Sequence, residues 1–283
     1  MEVKTYFDQS TSTFTHLVWD ISSKQAAIID PVLDFNYPSG RTGTNSADSV
    51  INDIKQLNLS LQYILETHAH ADHLSAAPYL KQQCGGQTGI GAKIPVVQDV
   101  FKGVFNMTDL TTDGSQFDLL LGEGDSLTLG ELNIKVLETP GHTPACVSYQ
   151  IDDALFIGDT FLAPNYGTAR ADFPGGDAST LYQSLKRILS FPDETRLFLC
   201  HDYPEEGVAP QSVCTVADQR NNVQLQGSGA DAFIEMRKTR DAQLEMPVLI
   251  LPAIQVNIRA GQLPTAEDNG VAYLKIPLNQ IGH

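Results

Sequence analysis

The chain carries little positive charge. It has 18 lysine and arginine residues against 34 aspartate and glutamate residues, a formal net charge of −16, and no Lys/Arg-rich stretch. An anionic surface of this size repels phosphate backbones and anionic lipid head groups. We therefore expect no nucleic-acid partner, which argues against an RNA-processing nuclease. For the same reason, an anionic small substrate would need local arginines in order to bind.

Long hydrophobic runs are also missing. No apolar segment approaches the ~18 residues that a membrane helix needs, and residues 1–10 contain no basic stretch followed by an apolar run. The four cysteines form no CxxC pair and no spacing typical of a disulfide framework. They are Cys84, Cys146, Cys200 and Cys214. These absences predict a cytoplasmic protein with reduced thiols and no membrane partner.

The composition is that of a globular protein. Hydrophobic residues make up 42% of the 283 positions and charged residues 18%, which is enough to bury a substantial core. No repeat, low-complexity segment or linker divides the chain. We predict a single domain over residues 1–283, in which residues from about 206 to 283 form a partly helical C-terminal extension packed on the rest.

Local patterns predict alternating strands and helices. Strands are expected at residues 14–21, 26–29, 61–65, 88–137, 147–150, 154–157 and 197–200. Helices are expected at residues 46–57, 74–83, 177–189, 211–223 and 230–244, and a long loop at residues 34–47. Strands followed by helix, strand and helix, and then the same order again, predict the α/β class, with two mixed β-sheets flanked by helices.

Histidines are concentrated directly after the apolar strand at residues 61–65. The segment Thr67-His68-Ala-His70-Ala-Asp72-His73 contains three of the seven histidines. Alternation places His68 and His70 on one side of an extended strand end. Asp72 and His73 begin the next turn and can fold back over them. A metal ion needs ligands that converge in this way.

Three more candidate ligands follow later strands. They are His142 in Pro-Gly-His-Thr, Asp159 in Gly-Asp-Thr and His201 in Cys-His-Asp-Tyr. Because open α/β sheets bind ligands at such strand ends, we expect these residues to meet the His-rich segment at one rim. His16 and His283 stand alone and are predicted to be hydrogen-bonded bystanders. Cys200, within an apolar strand, is predicted to be a buried thiol.

The order of these motifs resembles the metallo-β-lactamase superfamily. HxHxDH is followed by a histidine after glycine, an aspartate after glycine and a last histidine, and the resemblance covers residues 1 to about 205. It implies an αββα sandwich with a metal site at one edge. It does not specify the substrate, because the superfamily includes thioester hydrolases, lactamases, nucleases and redox enzymes.

Further segments resemble the glutathione persulfide dioxygenases, in particular their longer bacterial members. These segments are Gly167-Thr-Ala-Arg-Ala-Asp-Phe, Thr180-Leu-Tyr-Gln-Ser-Leu, His201-Asp-Tyr and Leu251-Pro-Ala-Ile-Gln-Val-Asn-Ile-Arg-Ala-Gly. The chain departs from the shorter members in the loop at 34–47 and in a longer segment after the predicted aspartate ligand. Both insertions are expected to border the pocket, which leaves the sulfur substrate open.

The resemblance implies a ligand set and a substrate site. One ferrous ion would be held by His68, His142 and Asp159, the two-histidine, one-carboxylate set that leaves positions open for oxygen and substrate. The remaining candidates, His70, Asp72, His73 and His201, would surround that site or hold a second metal. In the family, residues at the positions of Arg170 and Tyr203 hold glutathione, the arginine through a carboxylate.

The function that follows is a non-haem iron dioxygenase that oxidises glutathione persulfide with O2 to sulfite and glutathione. The alternative is a binuclear zinc hydrolase of a glutathione thioester, of the glyoxalase II type, since all seven ligands for two zinc ions are present. A non-catalytic metal-binding or scaffold protein would be expected to lack a ligand, and none is missing. A homodimer is the expected oligomer because it is the commonest one.

Overall fold

The computed structural model describes residues 1–227 and 229–282, and two six-stranded sheets dominate this part of the chain. In chain order the elements are β1 (Glu2–Asp8), β2 (Thr13–Trp19), β3 (Gln25–Ile29), β4 (Val32–Asn36), β5 (Arg41–Gly43), α1 (Asn45–Gln56), β6 (Ser60–Leu65), β7 (Leu74–Ser75), α2 (Ala77–Cys84), β8 (Gln87–Gly91), α3 (Ile94–Phe105), β9 (Leu119–Leu121), β10 (Ser126–Leu129), β11 (Leu132–Glu138), β12 (Val147–Ile151), β13 (Ala154–Phe156), α4 (Ala178–Ile188), β14 (Arg196–Phe198), β15 (Val213–Thr215), α5 (Val216–Gln219), α6 (Ala230–Asp241) and α7 (Ile250–Asn257). Short 3-10 turns lie at Tyr37–Ser39 and Gly158–Thr160.

The N-terminal sheet has the strand order β1-β2-β3-β6-β8-β9. β1, β2 and β3 pair antiparallel, and β3, β6, β8 and β9 pair parallel. The strands expected at residues 14–21, 26–29 and 61–65 are therefore confirmed, the first two in antiparallel pairing and the third in parallel pairing. Because β3, β6 and β8 run in the same direction, their carboxyl ends open at one edge of the sheet.

The C-terminal sheet has the order β10-β11-β12-β13-β14-β15. Its neighbours pair antiparallel except β13 and β14, which are parallel. The hairpin between β12 and β13 turns at Asp152, whose φ of 51° is a left-handed value that aspartate tolerates better than most residues. Both sheets are mixed, as the sequence predicts.

Side-chain alternation explains why the sheets stack and why helices cover them. In β3, Ala27 and Ile29 face the core between the sheets, whereas Ala26 and Ile28 pack with α1 and α2. In the other sheet, Phe156 faces the same inner core while Leu155 packs under α4 and α6. The result is the predicted αββα sandwich.

The prediction of a loop at residues 34–47 is wrong for the middle part of this range. β4 and β5 form a hairpin there, and β4 also pairs with β7 in a small third sheet. The Asn36 side chain accepts a hydrogen bond from the Ser39 backbone, which closes the turn. The Asp34 carboxylate accepts bonds from the first backbone N–H groups of α1. These polar residues are turn and cap residues, so polarity alone does not indicate an irregular loop.

Three other predictions of secondary structure need correction. Residues 94–105, expected among strands, form α3, because Ile94, Phe101 and Phe105 bury one helical face despite the β-branched residues between them. The helix expected at 74–83 begins only at Ala77, since residues 74–75 pair with β4. The helix expected at 211–223 is reduced to α5, and β15 takes its first residues.

The C-terminal elements pack against both halves of the sandwich. α6 lies on α4, and α7 lies against β7 with Val256 and Ala253 covering Leu74. The sequence pattern does not predict α7. Within the described ranges, 1–227 and 229–282, no helix has both the length and the apolar character required to cross a membrane.

The packing of α4 on the C-terminal sheet can be tested by mutation. Leu185 of α4 is fully buried, so Leu185→Ala should lower the free energy of unfolding by about 2–5 kcal/mol. Gln183→Ala, on the exposed face of the same helix, should change it by less than about 0.5 kcal/mol. Urea unfolding followed by circular dichroism measures both values. An equal, small loss for the two variants would contradict this packing.

Candidate metal centre

The strands position the candidate ligands at one edge of the sandwich. The His-rich segment leaves the carboxyl end of β6, and His142 follows β11. Asp159 lies in the 3-10 turn after β13, and His201 comes three residues after β14. Each side chain is therefore anchored by a buried strand, and the rim predicted from the sequence exists.

His68, His142 and Asp159 form one compact group. Their nearest ligand atoms all lie within 4.8 Å of one another. The Asp159 Oδ2 atom is 3.8 Å from His68 Nε2 and 3.7 Å from His142 Nε2. These distances are too long for hydrogen bonds. They suit ligands that share one ion, because metal bonds of about 2.1 Å separate neighbouring donor atoms by about 3–4 Å.

The other four candidates lie beside this group. His70, Asp72 and His73 satisfy the same 4.8 Å limit among themselves. The Nε2 atom of His201 is 3.2 Å from Asp72 Oδ2 and 3.3 Å from Asp159 Oδ1. Asp159 thus turns one oxygen toward His68 and His142 and the other toward His201. The structure brings all seven predicted residues together.

Most of these ligand atoms are buried without a hydrogen-bond partner. The unpaired atoms are His68 Nε2, His70 Nδ1, His73 Nε2, His201 Nε2, Asp72 Oδ2 and Asp159 Oδ1. A buried polar atom without a partner costs about 1–3 kcal/mol. Six such atoms gathered at one edge of the sandwich fit a metal centre, because a bound cation satisfies the donor atoms that it contacts.

The second nitrogen of each imidazole is fixed by the protein. His68 Nδ1 lies 3.0 Å from Thr67 Oγ1, His70 Nε2 lies 3.0 Å from Asp30 Oδ1, His73 Nδ1 lies 3.1 Å from the Leu74 carbonyl oxygen, His142 Nδ1 lies 2.8 Å from the Arg170 carbonyl oxygen, and His201 Nδ1 lies 3.2 Å from the Ser12 carbonyl oxygen. Metal-binding histidines are usually oriented by partners of this kind. The rings are therefore held with one nitrogen aimed into the site.

The electrostatic surroundings differ between the histidines. Burial, and then the charges of the neighbouring histidines, hold the pKa of His68 well below its usual value. Burial and His70 lower the pKa of His73 to about 3. Burial alone would also lower the pKa of His70, but Asp30 and Glu66 outweigh it and raise this pKa well above the usual range. His68 and His73 are thus neutral, which is the form that binds metal.

Two buried carboxylates beside His70 were not anticipated from the sequence. Asp30 accepts hydrogen bonds from the backbone N–H and the hydroxyl of Thr67, at 2.7 and 2.9 Å. Glu66 accepts a short hydrogen bond from Ser75 and lies 3.4 Å from His70 Nε2. In the sequence, Asp30-Pro31 indicates only the end of the strand expected at residues 26–29. A carboxylate directly after an apolar strand, at the edge that carries the histidines, was the available signal.

Asn257 at the end of α7 was also missed. This buried amide donates hydrogen bonds to the backbone oxygens of His70 and His73, at 2.8 and 2.7 Å. Its Oδ1 atom accepts a hydrogen bond of 2.9 Å from the Ser75 backbone. All the hydrogen bonds of the amide thus go to the His-rich segment and the residues after it. A residue far along the chain holds this segment in shape.

A cavity of about 670 Å³ opens over His142, Asp159 and Asp72. Its walls include Tyr37 of the β4–β5 hairpin and, from the segment between α6 and α7, Val248. Tyr203 lies in the same wall and stacks on Tyr166 with ring centroids 4.7 Å apart. A larger cavity of about 840 Å³ lies between α4 and α6 and includes none of the seven candidate ligands. The chemistry is therefore expected in the smaller cavity.

Arg170 lines the cavity of the metal centre, but its guanidinium is already bonded. Nε and Nη2 donate to the two carboxylate oxygens of Asp172 at 2.6 and 2.7 Å. Nη1 donates to the backbone oxygen of Glu245 at 2.7 Å. The guanidinium also lies 4.9 Å from the centroid of the Phe173 ring. Its planar fork is filled by residues of the chain itself.

Three residues, His16, His283 and Cys200, were not predicted as metal ligands. His16 is buried, and its Nε2 lies 2.9 Å from the Leu199 carbonyl oxygen, so the bystander prediction is confirmed. His283 lies outside the described residues. Cys200 is a buried thiol, whose pKa is raised well above its usual value by burial and by Asp30. Its sulfur also comes within 4.8 Å of ligand atoms of His70 and His201, so it borders the centre.

Comparison with known proteins gives a family and several relatives. Residues 10–201 match the family model described as the metallo-beta-lactamase superfamily. A probable metallo-hydrolase of Burkholderia pseudomallei is 52% identical, with 99% of this chain and 100% of that protein covered. A glyoxylase B2 of Dictyostelium discoideum is 46% identical over 99% of this chain and 98% of its own length. The mitochondrial persulfide dioxygenase of Homo sapiens is 31% identical, with 92% and 89% covered.

A solved structure gives the same relationship. The crystal structure of ETHE1 from Myxococcus xanthus superposes with a TM-score of 0.74 and 30% identity, covering 93% of this chain and 100% of that one. The similarity predicted from the motifs is therefore confirmed for the superfamily. Relatives with hydrolase-like names and relatives named persulfide dioxygenases both match nearly the whole chain.

The hydrogen bonds of Asn257 generate a prediction. Asn257→Ala should destabilise the metal-free protein by about 1–3 kcal/mol and also lower the metal content per chain, because two loop carbonyls lose their donor. Gln255→Ala is the matched control. This buried residue of the same helix bonds to Leu251 and Lys275 and not to the site. Urea unfolding and metal analysis by mass spectrometry check both effects, and equal metal content in the two variants would contradict the role of Asn257.

Proposed function

Because this chain belongs to the metallo-β-lactamase superfamily, we propose that it is a mononuclear non-haem iron dioxygenase acting on glutathione persulfide. One persulfide, one O2 and one water give one glutathione, one sulfite and two protons. The observation that carries the proposal is the group formed by His68, His142 and Asp159, next to a cavity that admits a substrate. Two imidazoles and one carboxylate with open positions are typical of non-haem iron(II) oxygenases.

The chain's own residues would prepare this reaction by orientation and shielding. Ferrous iron, when bound, would transfer electrons between the persulfide sulfur, which is oxidised, and O2, which is reduced. The Arg170 carbonyl orients His142, and the Phe173 ring packs against that imidazole with centroids 5.3 Å apart. On the other side, Thr67 orients His68. The aromatic and aliphatic cavity walls would keep bulk water from the reacting sulfur.

We assign the remaining four candidates to the surroundings of the iron. His70 is held between Asp30 and Glu66, and His201 lies between Asp72 and Asp159. In this arrangement, His201 would fix the second oxygen of Asp159 and leave the first for the metal. The role of these residues would be to set the position and charge of the carboxylate ligand.

For the substrate, we propose that Tyr203 contacts the glutathione moiety. Its ring is partly exposed in the cavity and is backed by Tyr166, so it offers a rigid apolar face with a polar tip. Arg170 lines the same cavity with its guanidinium bonded to Asp172, and its contact with glutathione stays a prediction. The single domain with a C-terminal extension, the homodimer and the cytoplasmic location also stay predictions.

A binuclear zinc hydrolase of a glutathione thioester is the second candidate. One observation favours it: Asp159 turns its two oxygens toward different histidine groups, as a carboxylate bridging two ions would. The metallo-hydrolase and glyoxylase names of relatives at 52% and 46% identity point the same way. Under this alternative, Asp72, His73 and His201 would bind the second ion.

Metal content and oxygen uptake together test the two candidates. Protein purified without added metal should contain about one iron per chain and should consume O2 when glutathione persulfide is supplied. Inductively coupled plasma mass spectrometry and an oxygen electrode measure the two quantities. Two zinc ions per chain, no oxygen uptake and hydrolysis of a glutathione thioester would replace the dioxygenase by the hydrolase.

Single-residue variants separate the two ligand sets. His142→Ala should lose the iron and lower kcat by more than about 100-fold, beyond the usual effect of an outer-shell partner. His73→Ala should keep the iron and lower kcat by less than about 100-fold, since His73 only adjoins the site in this proposal. Metal content and initial rates of both variants provide the measurement. Loss of metal to the same extent in both would indicate a binuclear centre.

A further inference from the structure

Three arginines line the cavity of the metal centre: Arg170, Arg237 and Arg240. Their availability matters because the whole chain carries a net charge of −16 and repels anions. A carboxylate substrate must therefore find a cation that is not already paired. The three arginines differ sharply in this respect.

The guanidinium groups of Arg170 and Arg237 are already bonded to other residues of the protein. Arg170 is 9% exposed and donates to Asp172 and to the Glu245 backbone, as described above. Arg237 is 1% exposed, donates through Nε to Asp241 at 2.8 Å and through Nη1 to Gln224 at 2.9 Å. An incoming carboxylate would have to displace buried ionic bonds at either residue. Such a displacement is costly because it leaves a buried charge unpaired.

Arg237 also connects the helix to the segment that contains Arg170. Its partner Asp241 accepts a hydrogen bond of 2.9 Å from the Ala171 backbone through its other oxygen. The same arginine lies 3.2 Å from the backbone oxygen of Thr168. Arg237 and Asp241 therefore attach residues 168–171 to α6. This gives both buried arginines a structural explanation.

Arg240 differs from the other two arginines because its guanidinium is not bonded to other described residues of the protein. Its side chain is exposed, and within residues 1–227 and 229–282 its guanidinium has neither a hydrogen bond nor an ion pair. It follows Arg237 by three positions in α6, so the two side chains lie on the same helical face one turn apart. Arg240 lines both this cavity and the larger cavity between α4 and α6, and its guanidinium donors are unpaired in the described part of the chain.

The charges around Arg240 indicate the class of ligand. Asp72 and Asp159 lie at the metal end of the cavity, and Glu245 is an exposed acid in the same wall as Arg240. A purely anionic molecule would be repelled by Glu245. A peptide that carries both a carboxylate and an ammonium group suits the pair of opposite charges. Glutathione is a peptide of this kind.

We propose that Arg240, and not Arg170, binds the carboxylate of the tripeptide at the outer end of the cavity. Arg170 then serves to hold the cavity wall through Asp172 and Glu245. The inference rests on the proposed function for the identity of the peptide. It assigns the specificity for the tripeptide to helix α6.

Equilibrium binding of S-methylglutathione tests this assignment without relying on turnover. Arg240→Gln should weaken the Kd, measured by isothermal titration calorimetry on the protein as purified, roughly tenfold or more, the loss expected for a charged hydrogen bond. The KM for glutathione persulfide should rise by a similar factor, with kcat changed less than about twofold. With the diester of S-methylglutathione, which lacks both carboxylate charges, wild type and variant should bind alike.

Lys238→Gln is the matched control. It removes the same charge from the same helix, but Lys238 lies one position from Arg237, about 100° around the helix, and does not line the cavity. Its Kd and KM should stay within about twofold of wild type, because a change in the overall field alone has a small effect at physiological salt. Arg170→Gln should mainly lower the free energy of unfolding.

Three results would overturn the inference. The first is equal binding by Arg240→Gln and Lys238→Gln. The second is weaker binding by Arg170→Lys at unchanged stability, which would return the carboxylate to Arg170. The third is a wild-type protein that binds no S-methylglutathione. If the wild type binds S-methylglutathione and Arg240→Gln does not, yet no O2 is consumed, the proposed reaction fails while the role of Arg240 stands.

Discussion

Buried nitrogen and oxygen atoms without hydrogen-bond partners, gathered at one edge of the two sheets, impose a constraint on the segments that surround them. Their cost is offset where a bound cation contacts them. The surrounding structure keeps them unpaired. The second nitrogen of each imidazole is bonded elsewhere, so the ring cannot turn away, and Asp30 and Glu66 confine His70 within the protein.

This constraint also explains the role of chain segments far from the histidines. The segment of strands β1 to β3 supplies two of these partners, the backbone oxygen of Ser12 and the carboxylate of Asp30. The C-terminal helix α7 supplies Asn257. A short motif thus needs both ends of the chain to hold its geometry. The parallel strands make this possible because their carboxyl ends open on the same side.

The fold and the ligand positions could be predicted because their signals are local. Period-two alternation identifies strands such as β2, and the spacing of His68, His70 and His73 is visible within one turn. The partners of these residues could not be predicted, since Asn257 approaches from nearly two hundred residues away. α3 could not be predicted because its valines favour strands. The helix is stabilised by burial of Phe101 and Phe105 against α7, which the local sequence does not reveal. The pairing of Arg170 with Asp172 was close in sequence, yet an i,i+2 pair in a loop has no periodic pattern that would reveal it.

The walls of the cavity come from segments that take no part in holding the ligands. Tyr37 belongs to a hairpin and Val248 to the connection between two helices, and both side chains are exposed. Substitutions at these positions change the width and polarity of the entrance while the buried centre keeps its geometry. The superfamily uses one metal-binding framework for many reactions. Homologues can therefore diverge in substrate selectivity through mutations at the cavity entrance, with little risk to folding.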